Sequence, residues 1–135
     1  KILEQEKFKK LRKLDVSNII MIYNVNHLGD TLYDLSCCSK SGLNQNGIKD
    51  LKILQKLDAS NNTKIYDVNH MANNLIDLNC SGDCGINQDG IKNLKILQKL
   101  NVHNNNNIKN VNHLTNLIEL YCSGKKCGIN FDGMK

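Results

Sequence analysis

The chain repeats itself. Aligning IKDLKILQKLDAS from Ile48 with IKNLKILQKLNVH from Ile91 gives nine identities in thirteen positions at an offset of 43 residues. Leu14, Leu57 and Leu100 share that offset, as do NVNHL at Asn24, DVNHM at Asp67 and NVNHL at Asn110. So do GLNQNGI, GINQDGI and GINFDGM, from Gly42, Gly85 and Gly128. Self-similarity at such a period means that one unit cannot bury its own apolar face and must stack on the next.

Each copy divides again. Leu57-x-Ala59 recurs as Leu78-x-Cys80, and Leu100-x-Val102 as Leu120-x-Cys122, so there are six half-units of 21 or 22 residues. Apolar positions in the third copy run Leu94, Leu97, Leu100, Val102, Ile108, Val111 and Leu114. A short period-two stretch predicts a strand, and the three-residue spacings that follow predict a turn or short 3₁₀ segment. Residues 1–13 form a charged, amphipathic lead or partial cap, and residues 14–135 hold the half-units in three copies, 14–56, 57–99 and 100–135. Met134-Lys135 breaks off where the next half would continue, as expected of a piece of a longer array or of an abrupt end. The lack of a targeting segment is then weak evidence.

These residues resemble a known family. LxxLxxLxVxxNxxIxxVxxL is similar to the leucine-rich repeat over roughly Leu11 to Met134, with a unit inside the usual range of about 20 to 29 residues. Units this short resemble the bacterial internalin type. The resemblance implies an α/β repeat solenoid of about six rungs, with one parallel sheet and a 3₁₀ or extended return side. DASNNTKIYDVNHM and CGINQDGIKNL further resemble repeat arrays encoded by giant DNA viruses of amoebae, which implies the host cytoplasm as a setting. Two departures leave the ladder geometry open: an extra residue separates Asn62 from Ile65 and Asn105 from Ile108, and Ile19 stands at the Asn position of the first half.

Five of the six cysteines follow the repeat, and Cys38 stands outside it. Cys37, Cys80 and Cys122 replace the second apolar residue of the strand, where alternation points side chains into the core. Cys84 and Cys127 sit where this family often uses Asn or Cys to hydrogen-bond buried loop carbonyls. Strands stack at roughly 4.8 Å, so equivalent cysteines two rungs apart lie near 10 Å, beyond the roughly 7 Å Cα separation that a disulfide spans. Only pairs within one half, Cys80 with Cys84 or Cys122 with Cys127, are close enough, and Ser41 breaks the series in the first copy. Free thiols, a reducing and hence cytoplasmic compartment and no metal are expected. His27, His70 and His113 are also two rungs apart, too far to share an ion, and the Asn before each is expected to cap a short turn. No cofactor is implied.

No stretch approaches the roughly 18 apolar residues of a membrane span, and no membrane partner is expected. Basic and acidic residues number seven and five in residues 1–47, four and six in 48–90, and seven and two in 91–135. So broken a positive excess does not track phosphates, and no nucleic-acid partner is expected. The residue before each strand anchor alternates across rungs: Lys13, Asp34, Lys56, Asp77, Lys99, Glu119. Lateral neighbours of opposite sign set the register.

No glycine-rich phosphate loop, HExxH or Ser-His-Asp set breaks the repeat, so no enzyme is expected. A noncatalytic module that binds an unidentified protein through the concave sheet face is the leading expectation, because solenoids present extended surfaces. The binding candidates are Asp58, Ser60, Asn79, Ser81, Asn101, His103, Tyr121 and Ser123. Six strands at roughly 4.8 Å and three residues of width give about 300 Å², against roughly 800 Å² per partner in a stable interface. Two alternatives stay open: the substrate-targeting arm of a larger enzyme such as a ubiquitin ligase, which the family resemblance permits, and a structural array that self-associates end to end.

Overall fold

The computed structural model describes residues 8–135, so the first seven residues of the lead segment lie outside the described residues. Six strands of three residues each form one parallel sheet: β1 (Lys13–Asp15), β2 (Asp34–Ser36), β3 (Lys56–Asp58), β4 (Asp77–Asn79), β5 (Lys99–Asn101) and β6 (Glu119–Tyr121). Their order in the sheet is their order in the chain. Leu14, Leu35, Leu57, Leu78, Leu100 and Leu120 are successive register partners, as the repeat predicts. Short 3₁₀ turns, at Asn26–Leu28, Gln45–Ile48, Asn69–Met71, Asp89–Ile91 and Asp132–Met134, lie outside the sheet, and no α-helix occurs among the described residues. The described residues form a repeat solenoid of six rungs, and no helix among them is long and apolar enough to cross a membrane.

A left-handed residue ends every strand. The residue four after each leucine anchor has positive φ: Asn18 (61°), Ser39 (56°), Asn61 (57°), Gly82 (69°), Asn104 (54°) and Gly124 (92°). Gly adopts this region freely and Asn at small cost, so the chain leaves the sheet after three residues. Odd and even rungs divide the work. Asn61 Oδ1 accepts from the Asp83 amide at 3.0 Å, and Asn104 Oδ1 accepts from Lys126 at 3.1 Å. A Cβ on Gly82 or Gly124 would meet those same oxygens at 2.0 and 2.1 Å. In the first copy Ser39 replaces the glycine, and the matching bond from Lys40 to Asn18 is longer, 3.4 Å.

Leucine, isoleucine and valine from every rung fill the space behind the sheet, with Cys37, Ala59, Cys80 and Val102 buried at the second inward position. The odd-half asparagines settle the ladder geometry that the sequence leaves open. Asn62 is fully buried, and its Nδ2 donates to the carbonyls of Cys37 (2.9 Å) and Leu43 (3.2 Å) in the preceding rung. Asn105 does the same for Cys80 (2.7 Å) and Ile86 (3.2 Å). Each Oδ1 accepts the amide two residues on, from Lys64 or Asn107. No buried side-chain nitrogen or oxygen among the described residues lacks a partner.

The return side corrects one expectation. Asn26, Asn69 and Asn112 do not cap a turn through their own side chains; their amides are held by Asn24, Asp67 and Asn110, two residues earlier. Instead their side chains reach forward: Asn26 donates to Asn46 O and accepts from the Asp50 amide, and Asn69 repeats this with Asp89 and Asn93. The histidines beside them reach backward. His70 and His113 place Nε2 at 3.0 and 3.1 Å from the carbonyls of Ile48 and Ile91, which makes Nε2 the protonated donor.

Leu78→Ala should cost about 2 to 5 kcal/mol, because it empties a site packed between Leu57 and Leu100. Asn105→Ala should cost about 1 to 3 kcal/mol by leaving two buried carbonyls without a donor. The exposed Asn73→Ala should stay within about 0.5 kcal/mol. Urea unfolding of the three variants checks the order; an Asn105→Ala protein as stable as Asn73→Ala would contradict the ladder role.

Candidate interaction face

On the outward side of the sheet, three columns run across the rungs. The first is the charged row, which pairs within each copy: Lys13 to Asp34 at 3.5 Å, Lys56 to Asp77 at 3.9 Å and Lys99 to Glu119 at 3.2 Å. All three lysines are solvent-exposed, so each pair contributes about 0 to 1 kcal/mol and acts mainly on register.

Four of the expected binding residues lie in the second column, where Asp58, Asn79, Asn101 and Tyr121 are register partners across β3 to β6. The other four lie in the third column, just past the strands. Local hydrogen bonds lock the columns together: Asp58 Oδ1 accepts from the Ser60 amide, Asn79 from Ser81 and Asn101 from His103, at 3.0 to 3.1 Å. These are Asx turns, in which a short polar side chain replaces a backbone acceptor. They hold each side chain in one rotamer and leave the Asn79 and Asn101 amide nitrogens with no protein acceptor among the bonds of this face.

At the last two rungs the face becomes a denser cluster. Tyr121 donates its hydroxyl to Glu119 Oε1 at 2.8 Å, and Glu119 also pairs with Lys99. The bond to Tyr121, then the one to Lys99, holds the Glu119 carboxyl below its usual range. Bonding to Glu119 raises both Lys99 and the Tyr121 phenol. Beside them His103 Nδ1 lies 2.7 Å from Ser123 Oγ, and Asn104 Nδ2 lies 3.2 Å from His103 Nε2. The part of Glu119 and Lys99 in this cluster escapes sequence reasoning, which assigns both to the register row. The usable signal is that Tyr121 follows Glu119 by two residues and so lies on the same face.

The thiols divide by depth. All six are unbridged. Burial pushes Cys37 and Cys80 upward, and pushes Cys84 up to about 11. Cys122 is also raised, first by burial and then by neighbouring Cys127. Cys38 lies on the sheet face, where Sγ is 3.4 Å from Ser36 Oγ and 3.8 Å from the Asp58 carbonyl. No group of three or more His, Cys, Asp or Glu side chains suited to a metal occurs among the described residues.

Comparison with protein-family models and with curated proteins finds no match. What the chain does therefore rests on its own geometry.

A raised thiol pKa means little reactive thiolate near neutrality. A disulfide-exchange reagent at pH 8 should leave Cys37, Cys80 and Cys84 unmodified in the native protein, and unfolding without reductant should release all six thiols. Recovery of four or fewer from fresh protein would reveal a closed pair such as Cys80 with Cys84.

Proposed function

We propose that this solenoid is a leucine-rich-repeat recognition module that binds a protein without catalysis, through the outward sheet face of β3 to β6. One observation carries the reading: apart from the Ser60 and Ser81 hydroxyls, the polar side chains of that face are held by hydrogen bonds before any partner arrives. Asx turns hold Asp58, Asn79 and Asn101, and the network of Tyr121, Glu119 and Lys99 holds the face's aromatic residue. Association loses about 0.5 to 1.5 kcal/mol for each mobile side chain it immobilises, and a pre-ordered face avoids that cost. Tyr121 is the natural anchor, since it is 54% exposed, aromatic and tethered.

The leucine-rich-repeat assignment draws on the leucine spacing, the three-residue parallel strands and the buried Asn62 and Asn105. Free thiols favour a reducing compartment. The partner is best described as a polar segment that offers acceptors to the Asn79 and Asn101 amides and an apolar surface to Tyr121. With about 300 Å² across all six strands and about 200 Å² across β3 to β6, affinity should be modest.

A displayed-peptide library selected on the chain should yield weak binders. Affinity should fall at least tenfold in a Tyr121→Ala, His103→Ala double variant and hold in Asn73→Ala. Binders that tolerate the double variant would move the site off this face, to the return side that carries His27, His70 and His113.

A further inference from the structure

Internal even-to-odd junctions use one set of polar groups. Rungs 3 and 5 hold the rung before them with Asn62 and Asn105, and also with Lys64 and Asn107, which donate to the carbonyls of Ser41 (2.6 Å) and Cys84 (3.3 Å). Rungs 2 and 4 reach forward with Gln45 and Gln88, whose Oε1 atoms each accept two amides of the next rung and whose Nε2 atoms each donate to a carbonyl there. At offset 43, rung 1 has Ile19 and Met21 in place of the donors, and rung 6 has Phe131 in place of the glutamine. Ile20, where rung 3 has Thr63, is 70% exposed, and Met21 is 81% exposed. Beside them opens a groove of about 980 Å³ lined by Phe8, Leu11, Leu14, Met21, Ile22 and Tyr23. Rung 1 lacks the chemistry that receives another rung and presents a mainly apolar surface instead, with Asn24, Asn26, His27, Lys49 and Asp50 also lining the groove.

We propose that the end is a self-association surface whose occupant is the same end of a second copy, with the two β1 edges paired antiparallel about a two-fold axis. The charges of β1 fit that arrangement. Its sequence is Lys13-Leu14-Asp15, so antiparallel pairing about Leu14 sets each Lys13 opposite Asp15 of the second copy. It also brings the segment after β1, with Ile19 and Met21, toward the segment before it, with Phe8 and Leu11, apolar against apolar. Among the described residues β1 has no strand on its other side, and that edge is covered in the same step; a two-fold contact closes on itself.

Head-to-tail stacking fits less well. Setting rung 6 against rung 1 of another copy brings Glu119 to Lys13. However, it lays Ile19 over the carbonyls of Cys122 and Ile129, the counterparts of those that Asn62 and Asn105 satisfy. Those two carbonyls are then buried without the donor that every internal junction of this type supplies.

Sedimentation equilibrium on the full chain over a wide concentration range is the test, and a reversible monomer–dimer equilibrium with no larger species is expected. Met21→Asp should weaken dimerisation at least tenfold. Lys13→Asp and Asp15→Lys should each do so alone, while an equimolar mixture of these two variants should restore a heterodimer. Lys13, Asp15 and Met21 are all exposed, so the variants should fold, which far-ultraviolet circular dichroism checks. A monomer at every concentration, open-ended growth past the dimer, or a dimer indifferent to these substitutions would overturn the proposal. A persistent monomer would assign the face to another occupant, residues 1–7 among them.

Discussion

A solenoid of three-residue strands faces one problem before all others, which is what to do with buried backbone that belongs to no sheet. Each rung places three of its 21 or 22 residues in a strand, and the remainder lies outside the sheet. Buried amides and carbonyls need partners. Here side-chain amides supply them: Asn62 and Asn105 serve the buried carbonyls across the loops, while Gln45, Gln88, Asn26 and Asn69 join neighbouring rungs at part-buried or exposed positions of the return side. The chain has 22 asparagines, and several of them make these cross-rung bonds. An amide side chain carries two N–H donors and an acceptor oxygen on separate atoms, so it can join the backbones of two rungs where a hydroxyl has a single donor and a charged group only donates or only accepts.

Two kinds of junction follow, and they explain why the true period is 43 residues rather than half of that. Odd rungs meet the next even rung through left-handed asparagines facing glycine or, in the first copy, Ser39, through ion pairs on the sheet and through forward-reaching asparagines on the return side. Even rungs meet the next odd rung through glutamine clamps, buried asparagine and the histidine contacts. Each surface is complementary only to its opposite type. Stacking order is therefore written into hydrogen-bond chemistry, while the leucines, nearly equivalent in every rung, supply burial without choosing a neighbour.

That division also marks what could be read from the sequence. Strand positions, their leucine anchors, the inward cysteines and the alternating charge row all follow from spacing, because burial depends on periodicity alone. Partner choice does not. Whether Asn26 caps its own turn or clamps the next rung depends on a residue 20 or 24 positions away, and local pattern favours the wrong answer. The left-handed residue four after each anchor was not among the expectations, although every rung has Asn, Ser or Gly there. It becomes visible when the six halves are aligned with one another. Of the candidate face, the column residues were legible by alternation, whereas the tie between Tyr121, Glu119 and Lys99 required knowing that rungs 5 and 6 are neighbours in register.

Residue-resolved amide hydrogen exchange tests most directly whether this stack of rungs, joined backbone to backbone, is the fold. The amides of Val16, Cys37, Ala59, Cys80 and Val102 each donate to a carbonyl one rung ahead. They should exchange slowly as a series spaced by 21 or 22 residues, with the exposed Asn73 exchanging quickly between protected neighbours. Continuous protected runs of eight or more residues, the mark of helices bonded within themselves, would contradict the solenoid and everything built on it.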